Sequence, residues 1–244
     1  MLPFSAAASC RLALAMALDV SGSVDETEYR LQMTGLAAAL GDPDVEAALF
    51  AIPDTPVALA VYEWSSARYQ RIVQDWVLIE DRSVLNAVRQ TLATWTREKA
   101  PEATGLGAAM VYGKSMLDRG PECWSQTLDV SGDGKNNDWP EPRQVRAEGS
   151  LPGFRINALV VARDPDTDGA TSLGHAEELS AYFQANVVQG ADAFVEIAVG
   201  YQDYAAAMRR KLLRELKAQP IGALPGDAEQ QIIRTGLSGR PEDQ

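Results

Sequence analysis

The sequence predicts a doubly wound α/β domain, with a mostly parallel central sheet, helices on both faces and one antiparallel edge strand. Three observations support this prediction. Strand-like segments alternate with helical ones along the chain, which is typical of a parallel sheet covered on both sides. Several of the strand-like segments are continuously apolar, as strands buried on both faces are. The chain has 244 residues, 46% of them hydrophobic, which suits one large domain with a substantial core.

Six segments have the character of strands. The first, LALAMALD, is almost entirely apolar and ends in Asp19. The segment RYQRIVQDWVLI follows the second strand after the short turn SSA, so we expect these two strands to pair in antiparallel fashion. The predicted strands are 12–19, 57–64, 68–79, 125–131, 155–162 and 193–199.

Six helices are predicted between and after these strands. The first is indicated by Tyr29, Met33, Leu36 and Leu40, which recur at helical spacing, and by acidic residues in its first turn. It is expected to end at GDPD, where glycine and proline break the chain. The predicted helices are 23–40, 83–99, 104–118, 140–149, 176–187 and 201–217.

One domain is expected over residues 10–219. Residues 1–9, MLPFSAAAS, end in small residues as a signal peptide does, and are interpreted as a leader remnant or a disordered tail. Residues 220–244 are polar, which predicts a loosely ordered tail. The net charge is −12 and no cluster of Lys and Arg offsets it, so nucleic acid is not expected as a partner. The chain has no apolar run of about 18 residues, so no membrane span is predicted.

One six-residue phrase occurs twice in nearly the same form, as LDVSGS at 18–23 and as LDVSGD at 128–133. Each copy lies at the end of a predicted strand. In open α/β sheets the ligand site lies outside the carboxyl ends of the strands, where the strand order reverses. The two copies are therefore expected to lie at the same edge of the sheet.

The two phrases and one helix start carry oxygen ligands suited to a metal ion. The first phrase supplies Asp19, Ser21 and Ser23, and the second supplies Asp133 between two glycines. Thr104, at the start of a predicted helix, offers a further hydroxyl. Hard oxygen ligands without His or Cys indicate Mg²⁺, with Mn²⁺ or Ca²⁺ as alternatives, rather than zinc.

Each of these residues also has a plainer interpretation. Ser23 and Thr104 are residue types preferred at helix N-caps, and Asp133 is typical of a tight turn between glycines. The presence of five such residues at three strand or helix ends favours the metal site over separate caps and turns.

The motifs DVSGS, then TG opening a helix, then SGDG resemble the three-loop metal-ion-dependent adhesion site (MIDAS) of von Willebrand factor A domains. The closer similarity is to a bacterial branch of that fold, a family of uncharacterised and often exported proteins. Its members have phrases similar to DVSGSVDETEY, VYEWS, LDVSGDGKNN, INALVV and KLLREL, in this order. The resemblance covers residues 10–217, and the set of motifs is more specific than any single one.

The resemblance implies a von Willebrand factor A-like, Rossmann-like fold and a role for each matching residue. Asp19 and Asp133 would hold the ion directly or through waters, and Ser21, Ser23 and Thr104 would supply hydroxyl ligands. One coordination position stays open in this fold, and an acidic group of a partner protein commonly fills it. The expected partner is therefore a protein that presents a carboxylate or a similar oxygen group.

Three further points concern the resemblance and the two phrases. The family's usual strand order places the Asp19 strand beside the strand before Asp133, at the centre of the sheet. Many relatives have a threonine before the second Asp, where this chain has Gly132. Asp129, which matches Asp19 in the two phrases, is not expected to be its functional equivalent.

Two other segments are candidates for binding. Asn136, Asn137 and Trp139 directly follow the metal loop and are predicted to rim the site and contact a partner. The loop DPDTDG resembles the opening of an EF-hand and predicts a weak calcium site, since the closing Glu is missing; a solvated acidic loop is the alternative. Its candidate ligands are Asp164, Asp166 and Asp168.

The two cysteines bear on the cellular compartment. Cys10 lies nine residues before Asp19, and Cys123 lies ten before Asp133. If the two strands are parallel neighbours, as the resemblance implies, both cysteines fall near the same opposite edge and a disulfide is expected. A disulfide indicates a periplasmic or secreted protein. Two buried free thiols are the alternative and would indicate the cytoplasm.

The expected function is a metal-dependent protein-binding domain rather than an enzyme. A Mg²⁺-dependent phosphohydrolase is one alternative, because a carboxylate beside a metal can act as a phosphoryl nucleophile. Phosphatases of the haloacid dehalogenase type need an Asp two residues after that carboxylate, where this chain has Ser21. The sequence has no Ser-His-Asp arrangement, P-loop or dinucleotide-binding glycine motif. A structural domain with a vestigial metal site is the other alternative.

Overall fold

A computed structural model describes residues 10–148, 154–162 and 172–217 of the chain. The strands within these ranges are β1 (Cys10–Asp19), β2 (Val57–Trp64), β3 (Gln70–Ile79), β4 (Cys123–Gly132), β5 (Phe154–Ala162) and β6 (Val195–Val199). The helices are α1 (Glu26–Leu40), α2 (Pro43–Leu49), α3 (Arg82–Thr94), α4 (Leu106–Asp118), α5 (Pro142–Glu148), α6 (Ser172–Asn186) and α7 (Tyr204–Lys217), the last preceded by a 3₁₀ turn (Tyr201–Asp203).

The strands form one sheet in the order β3-β2-β1-β4-β5-β6, in which only β3 is antiparallel to its neighbour. The predicted architecture is therefore confirmed. β1 and β4 are central neighbours, in register from Cys10 opposite Cys123 to Leu18 opposite Ser131. The chain runs outwards from β1 to β3, returns to β4, and then runs outwards in the other direction. This reversal leaves a crevice at the carboxyl ends of β1 and β4.

The two faces of β1 carry side chains of different size. Its larger residues face the layer of α1, α2, α3 and α7; they are Leu12, Leu14, Met16 and Leu18. Ala13, Ala15 and Ala17 face the layer of α4, α5 and α6. On that side α4 approaches the sheet closely, because a Cβ added to Gly113 would lie 2.5 Å from Leu128 Cδ1. The small side chains of these three alanines and of Gly113 thus leave room for α4 to pack closely on the central strands.

Helix α2 departs from the prediction, which treats GDPD only as a break in the chain. Asp42 caps this helix, since its Oδ1 accepts a hydrogen bond of 3.0 Å from the backbone N–H of Asp44. Pro43 occupies the first helical position, where its missing N–H costs nothing. The same residues that end α1 therefore begin the next helix.

Helix α3 is shorter than the predicted helix 83–99. It ends at Thr94, and Trp95 takes up extended backbone with φ −62° and ψ 137°. The Trp95 side chain packs against the core, and the Arg71 guanidinium lies 4.4 Å from the centre of its ring. Among the helices that the structure describes, none combines the length and the apolar character needed to cross a bilayer.

Candidate metal centre

The five predicted ligands come together at the carboxyl edge of the sheet, in the crevice between β1 and β4. Asp19 is the last residue of β1, and Ser21 and Ser23 lie in the turn that follows it. Thr104 lies two residues before the start of α4, and Asp133 directly follows β4. The topology explains this meeting, because parallel strands end at the same edge.

Hydrogen bonds connect all of these residues into one cluster of oxygen atoms. Ser23 Oγ donates a bond of 2.6 Å to Asp133 Oδ1. Ser21 Oγ lies 3.3 Å from Ser23 Oγ and 3.3 Å from Thr104 Oγ1. The backbone N–H of Ser21 donates a bond of 2.8 Å to Asp19 Oδ1. Only Ser23 is exposed, so the cluster opens to solvent on one side.

The electrostatics of this cluster favour a cation. Burial, and after it the nearby Asp133 carboxylate, raise the pKa of Asp19 to about 8, although hydrogen bonds from Ser21 act in the opposite direction. Asp19 Oδ2 is buried and makes no hydrogen bond. A divalent cation would satisfy this oxygen and offset the repulsion between the two carboxylates. The residues present therefore fit a metal ion.

The donor set also bears on the kind of ion. No group of three or more His, Cys, Asp or Glu residues is placed to hold a metal within residues 10–148, 154–162 and 172–217. Two carboxylates and three hydroxyls thus make up the set at this edge, and water would have to complete the coordination shell. Such a set suits hard cations that keep oxygen ligands.

Gly132 stands where many relatives of the fold have threonine, and the structure gives a reason for the small residue. A Cβ added there would lie 3.3 Å from Asp19 Oδ2 and 3.3 Å from Phe183 Cζ. Both distances are shorter than ordinary van der Waals contact. Glycine therefore leaves the unpaired oxygen of Asp19 room in the crevice.

The loop after Asp133 is tied to the beginning of α4 by two asparagines. Asn137 Oδ1 accepts a bond of 2.7 Å from the N–H of Thr104, and the Asn137 N–H donates one of 3.0 Å to the Thr104 carbonyl. Asn136 Oδ1 accepts a bond of 3.3 Å from the N–H of Gly107, in the first turn of α4. The first helical N–H groups lack partners within a helix, so Asn136 caps α4, whereas Asn137 holds Thr104 just before the helix. Their position as a partner-contacting rim stays a prediction.

Asp138 and Trp139 complete this loop. Asp138 accepts a bond of 2.8 Å at Oδ2 from the N–H of Ala67 and so joins the loop to the turn before β3. Trp139 is 67% exposed, although it is a large apolar residue. The neighbouring backbone packs on α4, since a Cβ added to Gly107 would lie 1.9 Å from the Pro140 carbonyl oxygen. Trp139 is therefore presented to solvent beside the helix that follows Thr104.

We expect Asn137→Ala to weaken metal binding and to lower the free energy of unfolding by about 1 kcal/mol. The change leaves the Thr104 N–H without its acceptor, so the Thr104 hydroxyl is held less firmly. Asn137→Asp is the matched control, because it keeps an acceptor at the same place. Calorimetric titration with Mg²⁺ checks the affinity; an unchanged affinity in Asn137→Ala would contradict this role and leave Asn137 as a rim residue only.

The remaining predicted residues lie elsewhere. Asp164, Asp166 and Asp168, the predicted calcium loop, lie outside the described residues, as do residues 1–9 and 220–244. Asp129 does not belong to the cluster, since its Oδ2 lies 2.6 Å from Lys211 Nζ in the interior. It is therefore not placed as an equivalent of Asp19.

Cys10 and Cys123 form a disulfide, with their Cα atoms 4.5 Å apart. The two residues face each other in the parallel pairing of β1 and β4. They lie at the start of these strands, whereas the oxygen cluster lies at their end. The pairing expected from the resemblance is thus present in the structure.

Comparison with known proteins agrees with this architecture. A family described as "Protein of unknown function (DUF1194)" matches residues 9–220. No curated protein matches the chain. Among solved structures, the pilus adhesin SpaC from Lactobacillus rhamnosus GG is similar with a TM-score of 0.60 and 13% identity, over 85% of this chain and 31% of the adhesin.

Two further structures share the fold. A von Willebrand factor type A protein from Catenulispora acidiphila has a TM-score of 0.56 and 16% identity, over 85% of this chain and 43% of its own. Proximal thread matrix protein 1 from the mussel byssus, with a zinc-occupied MIDAS motif, has a TM-score of 0.59 and 11% identity, over 86% and 49%. The chain thus has a von Willebrand factor A-like fold, and it spans less than half the length of each of these three proteins.

Proposed function

The chain belongs to the DUF1194 family, and we propose that it is a binding module in which a divalent cation links it to an oxygen group of a partner protein. One observation carries the proposal: the buried Asp19 Oδ2 makes no hydrogen bond, yet it faces a cluster that contains a second carboxylate and three hydroxyls. A buried carboxylate oxygen without a hydrogen-bond partner is costly, and in this cluster a cation between the two carboxylates would satisfy it. The fold supports the same proposal, since a neighbour in structure has a metal-occupied MIDAS motif.

The proposed ion is Mg²⁺, with Mn²⁺ or Ca²⁺ as alternatives. Asp19 and Asp133 would supply negative charge, and Ser21, Ser23 and Thr104 would supply neutral oxygens. The zinc in the mussel protein belongs to that protein; the donor set here has neither His nor Cys, and therefore favours a harder cation. When bound, the ion would polarise an incoming oxygen ligand and offset its charge.

The partner is proposed to present a carboxylate or a similar oxygen group. The two carboxylates neutralise a divalent ion, so an acidic group of the partner would be held by direct coordination to the ion at the open position rather than by net charge. Trp139, exposed beside α4, would add apolar contact area at the rim. A partner would then be held by one oxygen–metal bond surrounded by apolar and amide contacts.

An exported, periplasmic or secreted location is part of the proposal. The disulfide between Cys10 and Cys123 supports an oxidising compartment, because disulfides rarely persist in the cytosol. The similarity to a pilus adhesin is consistent with it. We propose no catalytic role, because the cluster pairs its carboxylates with hydroxyls and offers Ser21 where a phosphatase of the haloacid dehalogenase type needs an acid.

Calorimetry and thermal melting with Mg²⁺, Mn²⁺, Ca²⁺ and EDTA test the proposal. We expect saturable binding of one ion and a rise in melting temperature that follows the free-ion concentration. A chelator should reverse the capture of a partner. The Trp139→Ala variant should bind the partner more weakly, while its affinity for the ion should be unchanged. An absence of any metal effect at millimolar ion would reduce the cluster to helix capping. Phosphatase turnover that disappears in Asp19→Ala would contradict a pure binding module.

A further inference from the structure

A second group of charged side chains lies buried beneath the metal centre, between the sheet and α7. It consists of Asp129 on β4, Asn157 on β5, and Lys211 and Glu215 on α7, none of them more than 1% exposed. Lys211 Nζ lies 2.6 Å from Asp129 Oδ2 and 2.6 Å from Glu215 Oε1. Asn157 Nδ2 donates a bond of 2.8 Å to Glu215 Oε1. An amine and two carboxyl groups are thus in direct contact away from water.

The charges in this group do not balance. Two carboxylates face one ammonium, so the fully ionised group carries a net negative charge in the interior, where each uncompensated charge is costly. Burial raises the pKa of Asp129 to about 7, although Lys211 acts in the opposite direction. The two carboxylates raise the pKa of Lys211 in spite of its burial. The raised pKa of Asp129 favours a proton on this carboxyl, which would place a carboxylic acid beside the lysine.

The surroundings prevent these groups from reaching water. The Phe194 ring lies 5.5 Å from Lys211 Nζ, and Tyr204, about two turns before Lys211 on the helix, is fully buried. Asn157 is also held on its other side, because its Oδ1 accepts a bond of 3.2 Å from the N–H of Phe194. Asn157 thus holds Glu215 in place, whereas the oxygens of Asp129 make no hydrogen bond and the acid meets the lysine through the 2.6 Å contact alone.

We propose that Lys211 and Asp129 are joined by an amide bond between their side chains, with Glu215 as the group that moves protons. The inference is independent of the metal centre. It concerns a covalent link between the central strand β4 and the last described helix, α7. This link would convert a charged interior group into a neutral one.

The step needs no external reagent. Glu215 accepts a proton from the Lys211 ammonium, and the free amine attacks Cγ of the protonated Asp129. The tetrahedral adduct loses one nitrogen proton through Glu215 to the departing hydroxyl, and water leaves as the C–N bond becomes an amide. The protons balance. The ammonium brings three and the acid brings one; of these four, one remains on the amide nitrogen, two leave in the water, and one stays on Glu215.

Amide formation between a free amine and a free acid is slow in water, and the contact between the two groups in the interior compensates for much of this. Well-oriented groups react with effective molarities up to about 10⁵–10⁸ M, provided that the reacting atoms are held in contact. Burial by itself favours the neutral acid and the neutral amine, but for Lys211 the two carboxylates outweigh burial and raise its pKa, so Glu215 has to take the proton from the ammonium before the attack. The condition of contact is met, since Lys211 Nζ lies 2.6 Å from Asp129 Oδ2.

Intact mass spectrometry of the reduced, denatured wild-type protein tests the proposal. We expect a mass lower than that of the sequence by one water, about 18 Da. After digestion with trypsin, Lys211 should resist cleavage, and one branched peptide should contain segments of both β4 and α7. Reduction beforehand removes any contribution of the Cys10–Cys123 disulfide to the mass.

Two variants serve as controls. Lys211→Arg keeps the positive charge but cannot form the amide, and it should have the full mass of its sequence. Glu215→Gln keeps both reacting groups and should also have the full mass, because the proton carrier is lost. A wild-type protein of full mass would overturn the proposal and leave an ordinary buried ion pair. Loss of one water from both the wild type and Lys211→Arg would overturn it as well, since the loss would then lie elsewhere.

Discussion

Replacing Cys10 and Cys123 together by alanine is expected to lower the free energy of unfolding by about 4–5 kcal/mol. The disulfide joins two residues separated by 113 positions. A bond that closes so long a loop removes much of the conformational freedom of the unfolded chain, so its loss stabilises the unfolded state by chain entropy. Urea denaturation in EDTA, followed by tryptophan fluorescence, measures the difference.

Reduced wild-type protein is the matched control for this variant. It lacks the same bond but keeps both cysteine side chains, so its denaturation midpoint should coincide with that of the double variant. The slope of the transition reports whether the unfolded state has expanded. If the oxidised wild type and the double variant have equal midpoints, the bridge contributes nothing and the entropic argument is wrong for this chain.

Asp133→Asn is expected to abolish the stabilisation by Mg²⁺ while making the metal-free protein more stable. Wild-type protein should gain about 2.7 kcal/mol at a free ion concentration one hundred times the dissociation constant. The variant should gain none, because the cluster loses one of its two carboxylates. In EDTA, at a pH above the Asp19 pKa of about 8, the variant should be more stable by on the order of 1 kcal/mol, since removal of the Asp133 charge then relieves its repulsion with the ionised, buried Asp19.

The two opposite effects separate a metal ligand from a residue of structural importance. A structural role alone would make Asp133→Asn less stable both with EDTA and with Mg²⁺. Asp118→Asn is the matched control, since it removes an exposed carboxylate that pairs only with Lys114 in the same helix. Its stability should change by less than about 0.5 kcal/mol in either condition. Equal stabilisation of wild type and Asp133→Asn by Mg²⁺ would exclude Asp133 from the set.

The sheet and the meeting of the five predicted ligands at one edge could be predicted because their signals are local. Continuous apolar runs identify strands such as β1, and parallel strands must end at one edge, so residues such as Asp19 and Asp133 meet by topology alone. The end of α3 could not be predicted in this way. It depends on Trp95 packing against the core and under Arg71, which are contacts between distant segments.

The hydrogen bonds of the loop that contains Asn136 and Asn137 also could not be predicted from the sequence. That Asn136 and Asn137 face a partner stays a prediction, based on their place after the metal loop. In the structure their amide oxygens accept bonds from backbone N–H groups of Gly107 and Thr104. Backbone donors have no signature in the letters of the sequence. Lys211 and Glu215 likewise have the spacing of an ordinary surface pair on a helix. Only the fold shows that Asp129 lies against them in the interior.

The disulfide also fixes the register of the two central strands, β1 and β4. With Cys10 bonded to Cys123, β1 and β4 share one continuous offset up to Leu18 opposite Ser131. Slippage by one residue would shift one strand by about 3.3 Å and turn its side chains to the other face. Asp19 would then no longer face Asp133. The covalent bond at one end of the strand pair thus secures the register on which the proposed ion site at the other end depends, and it does so only where conditions allow the disulfide to form.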